Sequence, residues 1–142
     1  MSPSLKILVG MIAVAAMTGL NHGPLGRGAE LVDAIETAAR QKVAATEVPG
    51  IEVRLGREPL SRLATLSGPA DPFQREGQGE LKGLNDHVRD VDGISAIRWS
   101  DGPERTAIPL LLETLILTIA AYLIGLALSW VLWGRNRERP YR

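Results

Sequence analysis

Hydrophobic positions along the chain fall into three regimes: a continuous apolar run near the start, a middle with helical or strand spacing, and a longer continuous run near the end. The last, Ile108 to Trp133, is almost unbroken and reads as a transmembrane helix. At 1.5 Å per residue, Leu110 to Trp133 would span about 36 Å, against a hydrocarbon layer of roughly 30 Å. Trp130 and Trp133 stand where an aromatic belt belongs, and Arg135, Arg137, Arg139 and Arg142 follow at once. Such a basic flank favours the cytoplasmic side. Residues 134–142 are therefore expected to form a cytoplasmic tail, and everything before Pro109 to lie outside the cytoplasm.

The first run, Ile7 to Leu20, has 14 residues and is preceded by Lys6. It fits the h-region of a signal peptide, with Ala13-Val14-Ala15 as a small-x-small cleavage site. If Lys6 snorkels, the same segment makes a short span of about 24 Å. The reading favours an uncleaved signal anchor over residues 1–20, with both termini cytoplasmic, and leaves cleavage open.

Between the runs, residues 29–102 predict one small α+β domain of order α-β-β-α-β. Residues 21–28, with Pro24 and three glycines, read as a linker. Leu31, Val32, Ile35, Ala38, Ala39 and Val43 follow helical spacing, and Pro49-Gly50 stops that helix. Ile51 to Leu55 alternates apolar and charged residues as a half-buried strand does, and Arg62 to Leu66 predicts a second strand. Asp71 before Pro72 is a reasonable N-cap for a second helix, whose apolar positions would be Phe73, Leu81, Leu84, Val88 and Val91. Gly77 and Gly79 weaken its first turns by about 1 kcal/mol each relative to Ala. Gly93 is expected at its C′ position, and Ile94 to Trp99 as a third strand.

Two motifs in this region resemble the BON domain, a small αβ module of bacterial envelope and periplasmic proteins. They are Ala64-Thr65-Leu66-Ser67-Gly68, similar to the family's second strand ending in Leu-x-Gly, and Val88 to Ile97, similar to its V-x-x-V-x-G-V-x-x-V ending. The resemblance covers about half of the chain, Ala29 to Trp99. It implies a non-enzymatic binding module associated with phospholipid surfaces or with assembly of envelope complexes. One departure is expected: the family's first two strands form a tight hairpin, whereas Gly56 to Ser61, with Pro59, reads as a longer connection.

Charge and chemistry narrow the reading further. From Asn21 to Ala107 there are 11 Lys or Arg against 14 Asp or Glu, while four arginines follow Trp133 against Glu138. A mildly acidic body with a basic tail argues against nucleic-acid binding. Cysteine is absent, which excludes disulfides and thiolate metal sites. His22, in the linker, and His87, on the second predicted helix, have no clustered ligand spacing; a solvated linker side chain is the better reading of His22, and metal or pigment ligation the lesser one. No phosphate-binding Gly-rich motif or nucleophile elbow occurs. A non-enzyme without cofactor is the expectation.

Two features of the C-terminal run point to interaction. Ala121, Gly125 and Ser129 recur at intervals of four, and Thr114 and Thr118 extend that stripe, a device for helix association within lipid. Glu113, near the extracytoplasmic end, is expected to snorkel to the headgroups or to make a polar contact with a partner subunit. Together these readings predict a non-catalytic accessory subunit of a larger bacterial inner-membrane complex, such as a respiratory or photosynthetic one. The alternative is a membrane-tethered, phospholipid-binding envelope module.

Overall fold

The computed structural model describes residues 2–133. Arg135, Arg137 and the rest of the basic tail lie outside the described residues, as does the side chain of Trp133. The chain order is α1 (Pro3–His22), α2 (Arg27–Ala44), β1 (Glu52–Arg57), β2 (Leu60–Ser67), α3 (Pro72–Glu76), β3 (Gly77–Gln78), β4 (Leu81–Lys82), α4 (Leu84–Arg89), β5 (Ala96–Trp99) and α5 (Leu110–Trp133). A mixed α+β domain thus stands between two apolar helices long enough to cross a membrane.

α1 is longer at both ends than the apolar run that predicts it. Ser2 caps it by accepting from the Leu5 N–H at 3.3 Å, and Pro3 opens its first turn without losing a needed donor. The expected linker shrinks to Gly23–Gly26, where Gly26 takes a positive φ of 69° to turn the chain into α2.

The main sheet has the order β1-β2-β5, with β1 and β2 antiparallel and β2 and β5 parallel. α2 packs Val32, Ile35, Ala39 and Val43 against Val53 and Leu55 of β1 and Ala64 and Leu66 of β2. Leu84, Val88 and Val91 complete this core. Side chains such as Leu66, fully buried, contribute about 1.5–3 kcal/mol each. Leu110, the first residue of α5, is only 3% exposed and belongs to the same cluster.

Three expectations are corrected. The connection between the first two strands is tight, because Arg57 pairs with Leu60 across the Glu58-Pro59 turn, whose peptide bond is cis. The register shifts at Gly56, where any Cβ would lie 2.1 Å from Ser61 Oγ, so the lack of a side chain permits the close return.

The second helix is broken in two. Asp71 and Gln74 form a reciprocal capping box at α3, but Gly77 and Gly79, with φ of 79° and 61°, divert the chain into the β3–β4 ribbon. Phe73 and Leu81, expected on the buried face of a continuous helix, are instead 67% and 75% exposed. Gly93 is not the residue that ends α4, which stops at Arg89. It lies in the following turn with φ of 98°, and a Cβ there would meet Ile35 Cδ1 at 2.6 Å. β5 accordingly starts at Ala96, two residues later than expected.

Candidate functional site

α1 and α5 pack against each other, and the side chains that do so recur with helical spacing. The partly buried positions of α1 include Gly10, Met11, Val14 and Thr18, and those of α5 include Leu115, Ile119, Tyr122 and Leu126. The Tyr122 hydroxyl donates to the Ile7 carbonyl at 3.3 Å, with the ring lying over Gly10. Higher up, Thr18 and Thr118 share a hydrogen bond of 3.1 Å, while each also lies within bonding distance of a carbonyl one turn back on its own helix. Outside this seam both helices expose leucine and isoleucine, and α1 has no fully buried residue.

The small-residue stripe of α5 divides between two environments. Thr118 reaches α1, and Thr114 donates to the Leu110 or Leu111 carbonyl at the domain end of the helix. Ala121, Gly125 and Ser129 do not join the seam; they are exposed beside it, and a Cβ at Gly125 would meet nothing within 4 Å. Trp130 is 71% exposed.

Glu113 finds a partner inside the chain, on the second strand. Its Oε2 accepts from Arg62 Nε at 2.7 Å, and Arg62 Nη1 also donates to the Gly93 carbonyl at 3.1 Å. With the Ser61–Pro109 bridge and the burial of Leu110, this pair builds the first turn of α5 into the sheet. α5 therefore leaves the domain in a defined direction.

A second polar cluster closes the outer edge of β1. Glu36 of α2, only 6% exposed, accepts from the Leu55 N–H at 3.0 Å and from Arg57 at 2.9 Å, and pairs with Arg40 at 2.5 Å. Arg40 Nε in turn donates to the Val53 carbonyl at 3.1 Å. The side chains thus occupy a donor and an acceptor that a further strand would use. The Arg57 guanidinium titrates above its ordinary value, chiefly because it donates to Asp33, against a desolvation cost, with Glu36 adding to the effect. Beyond this cluster, a shallow cleft of about 780 Å³ runs between the end of α2 and β1.

At the end of the domain built by α3 and β5, Arg75 holds Asp101 with two hydrogen bonds and stacks 4.0 Å from the Trp99 ring centre. Trp99 donates its indole N–H to Asn85. The hydrogen bond from Arg75 holds the Asp101 carboxyl below its ordinary range. Lys82 does the same for Asp90 at 2.5 Å, and is itself raised by that bond.

Where α1, α2 and α5 converge there is a cleft of about 410 Å³. His22 lines it, its ring packed where a Cβ on Gly28 would stand, at 2.6 Å. His87 sits half-buried on α4, beside Lys42 and Lys82. Among the described residues, no three His, Asp or Glu side chains are grouped as a metal site requires.

No protein-family model matches the chain, and no curated protein or solved structure matches it. Neither Arg62, Glu36 nor the Gly10–Tyr122 contact is marked by any local pattern in the sequence. The chemical repertoire of the helix pair and its junction is packing, hydrogen bonding and ion pairing.

Proposed function

We propose that the chain is a two-span inner-membrane protein of a Gram-negative bacterium, with a BON-like domain on the periplasmic side and both termini in the cytoplasm. It acts as a non-catalytic accessory subunit, docked to a larger integral membrane complex through α5. Retention of α1 is supported by its seam with α5, which a cleaved leader would not need. The BON likeness is supported by the tight β1–β2 hairpin, which removes the departure expected at Gly56 to Ser61.

The observation that carries the docking role is the open face of α5. α1 takes the neighbouring face and leaves Ala121, Gly125 and Ser129 exposed, so a second helix could approach closely there. Gly125→Leu would hold such a helix away while keeping the span apolar. The test is the yield of partner co-purified in mild detergent from membranes holding equal amounts of each variant. Loss of partner with Gly125→Leu supports docking; undiminished recovery removes this face from the account. A lone protein that binds liposomes through its domain would favour the tethered lipid module instead.

Topology is tested separately. A reporter after Arg142 should behave as cytoplasmic, and Ser67→Cys should be labelled from the periplasm. The opposite pattern would overturn the arrangement.

A further inference from the structure

The cleft between α1, α2 and α5 has a graded lining. Met17, Leu31 and Leu110 supply its apolar part, and Asn21, His22 and Arg27 its polar part. Its size lies in the range of small-molecule pockets. Leu31 in its wall is 45% exposed, and Leu20 and Leu25, in the chain between Met17 and Arg27, are 50% and 62% exposed. The apolar surface of the helix pair thus continues past the end of α1 onto the first turns of α2, where polar groups begin.

Charge selects among occupants. Arg27, in the lining, pairs with Glu30 beside it at 3.0 Å, and both are more than 60% exposed, so one cation and one anion stand together in solvent at the mouth of the cleft. A phosphate would accept from Arg27, with His22 and Asn21 as further polar groups. A neighbouring ammonium would meet Glu30. A purely anionic headgroup would gain the first contact and be repelled at the second.

We propose that this cleft holds the phosphate and glycerol region of one bilayer phospholipid whose zwitterionic headgroup carries a free ammonium, with its acyl chains leaving past Met17 along the helix pair. The proposal rests on the two-span reading, which places the cleft where hydrocarbon gives way to headgroups. Such a lipid fills the junction between the domain and its two helices.

Native mass spectrometry of the full-length protein in mild detergent tests this with four probes: phosphatidylethanolamine, phosphatidylglycerol, diacylglycerol and glycerophosphoethanolamine. The expected result is a one-to-one adduct with phosphatidylethanolamine that neither diacylglycerol, lacking phosphate, nor glycerophosphoethanolamine, lacking chains, reproduces. Arg27→Gln should weaken it about tenfold, as loss of one charge-assisted hydrogen bond does, and Arg27→Lys should restore most of it. Glu30→Gln should raise retention of phosphatidylglycerol. Arg27 is exposed, so these variants keep the fold, and Thr114→Trp, which fills the cleft, gives an independent block. Equal retention of diacylglycerol, equal retention of phosphatidylglycerol, or adducts indifferent to both Arg27→Gln and Thr114→Trp would each overturn the proposal. Carbonate extraction separates the two readings. A chain released from membranes overturns the two-span reading and this site with it, whereas a chain that stays but retains no lipid overturns this site alone.

Discussion

Gly10 and Tyr122 occupy a single space: a side-chain carbon on Gly10 would lie 2.0 Å from the phenolic oxygen of Tyr122. The glycine therefore lets the ring cross α1 and its hydroxyl reach the Ile7 carbonyl. Tyr122→Phe should keep the packing and lose only the hydrogen bond, about 0.5–1.5 kcal/mol. Gly10→Val should displace the ring and part the helices. The readout is disulfide yield in the double variant Thr18→Cys, Thr118→Cys, a clean probe in a chain without cysteine. Crosslinking should survive Tyr122→Phe and fall with Gly10→Val; equal yields would dissolve the seam.

Arg62 and Glu113 should behave as a coupled pair. Their side chains are 32% and 16% exposed, so removing one leaves the other poorly solvated. Arg62→Met is expected to cost about 1–3 kcal/mol, and adding Glu113→Leu to recover much of it, as when a desolvated pair is replaced by apolar groups. A double-mutant cycle on the melting transition in detergent measures the coupling. Additive effects would mean that the two residues act independently.

Gly93→Val should destabilise the domain by about 1–3 kcal/mol, since valine at positive φ is strained. Its Cβ would also press on Ile35. The full chain is the proper sample, because Leu110 is part of the core. A melting transition equal to wild type would show that the turn does not need glycine.

Two exposed carboxylates predict acid sensitivity. Asp90 and Asp101 are held below their ordinary value of 3.8, so the stability they supply is present above it and is lost as pH falls through their folded values. Lys82 is raised above its ordinary 10.5, so its share is present below that value and lost as pH rises through the folded one. Asp90→Asn should flatten both limbs of melting temperature against pH, and Asp101→Asn the acid limb. Both effects should shrink in high salt. Profiles unchanged from wild type would remove these pairs from the stability of the domain.

The two apolar helices, α2 and the three main strands were legible because each is written locally, as a long apolar run or as a period of 3.6 or 2. The broken second helix was not, since Phe73, Leu81 and Leu84 imitate a continuous face while the conformations of Gly77 and Gly79 decide otherwise. The small stripe was visible as a pattern, but only the packing of α1 shows which half stays open. Arg62 and Glu113 are 51 residues apart, and Ile7 and Tyr122 are 115 apart. Such contacts are written in the tertiary arrangement and in no window of sequence.

Glu36 and Arg40 stand in for a missing strand, and on the opposite edge Arg105 donates to the Ile97 carbonyl of β5. On the two-span reading the domain is confined to a plane, where crowding brings identical sheets together far more often than in free solution. A sheet whose margins are answered by its own side chains offers its neighbours few backbone groups to pair with. On that reading, copies that meet at the membrane surface would find less sheet edge on which to zip into ribbons.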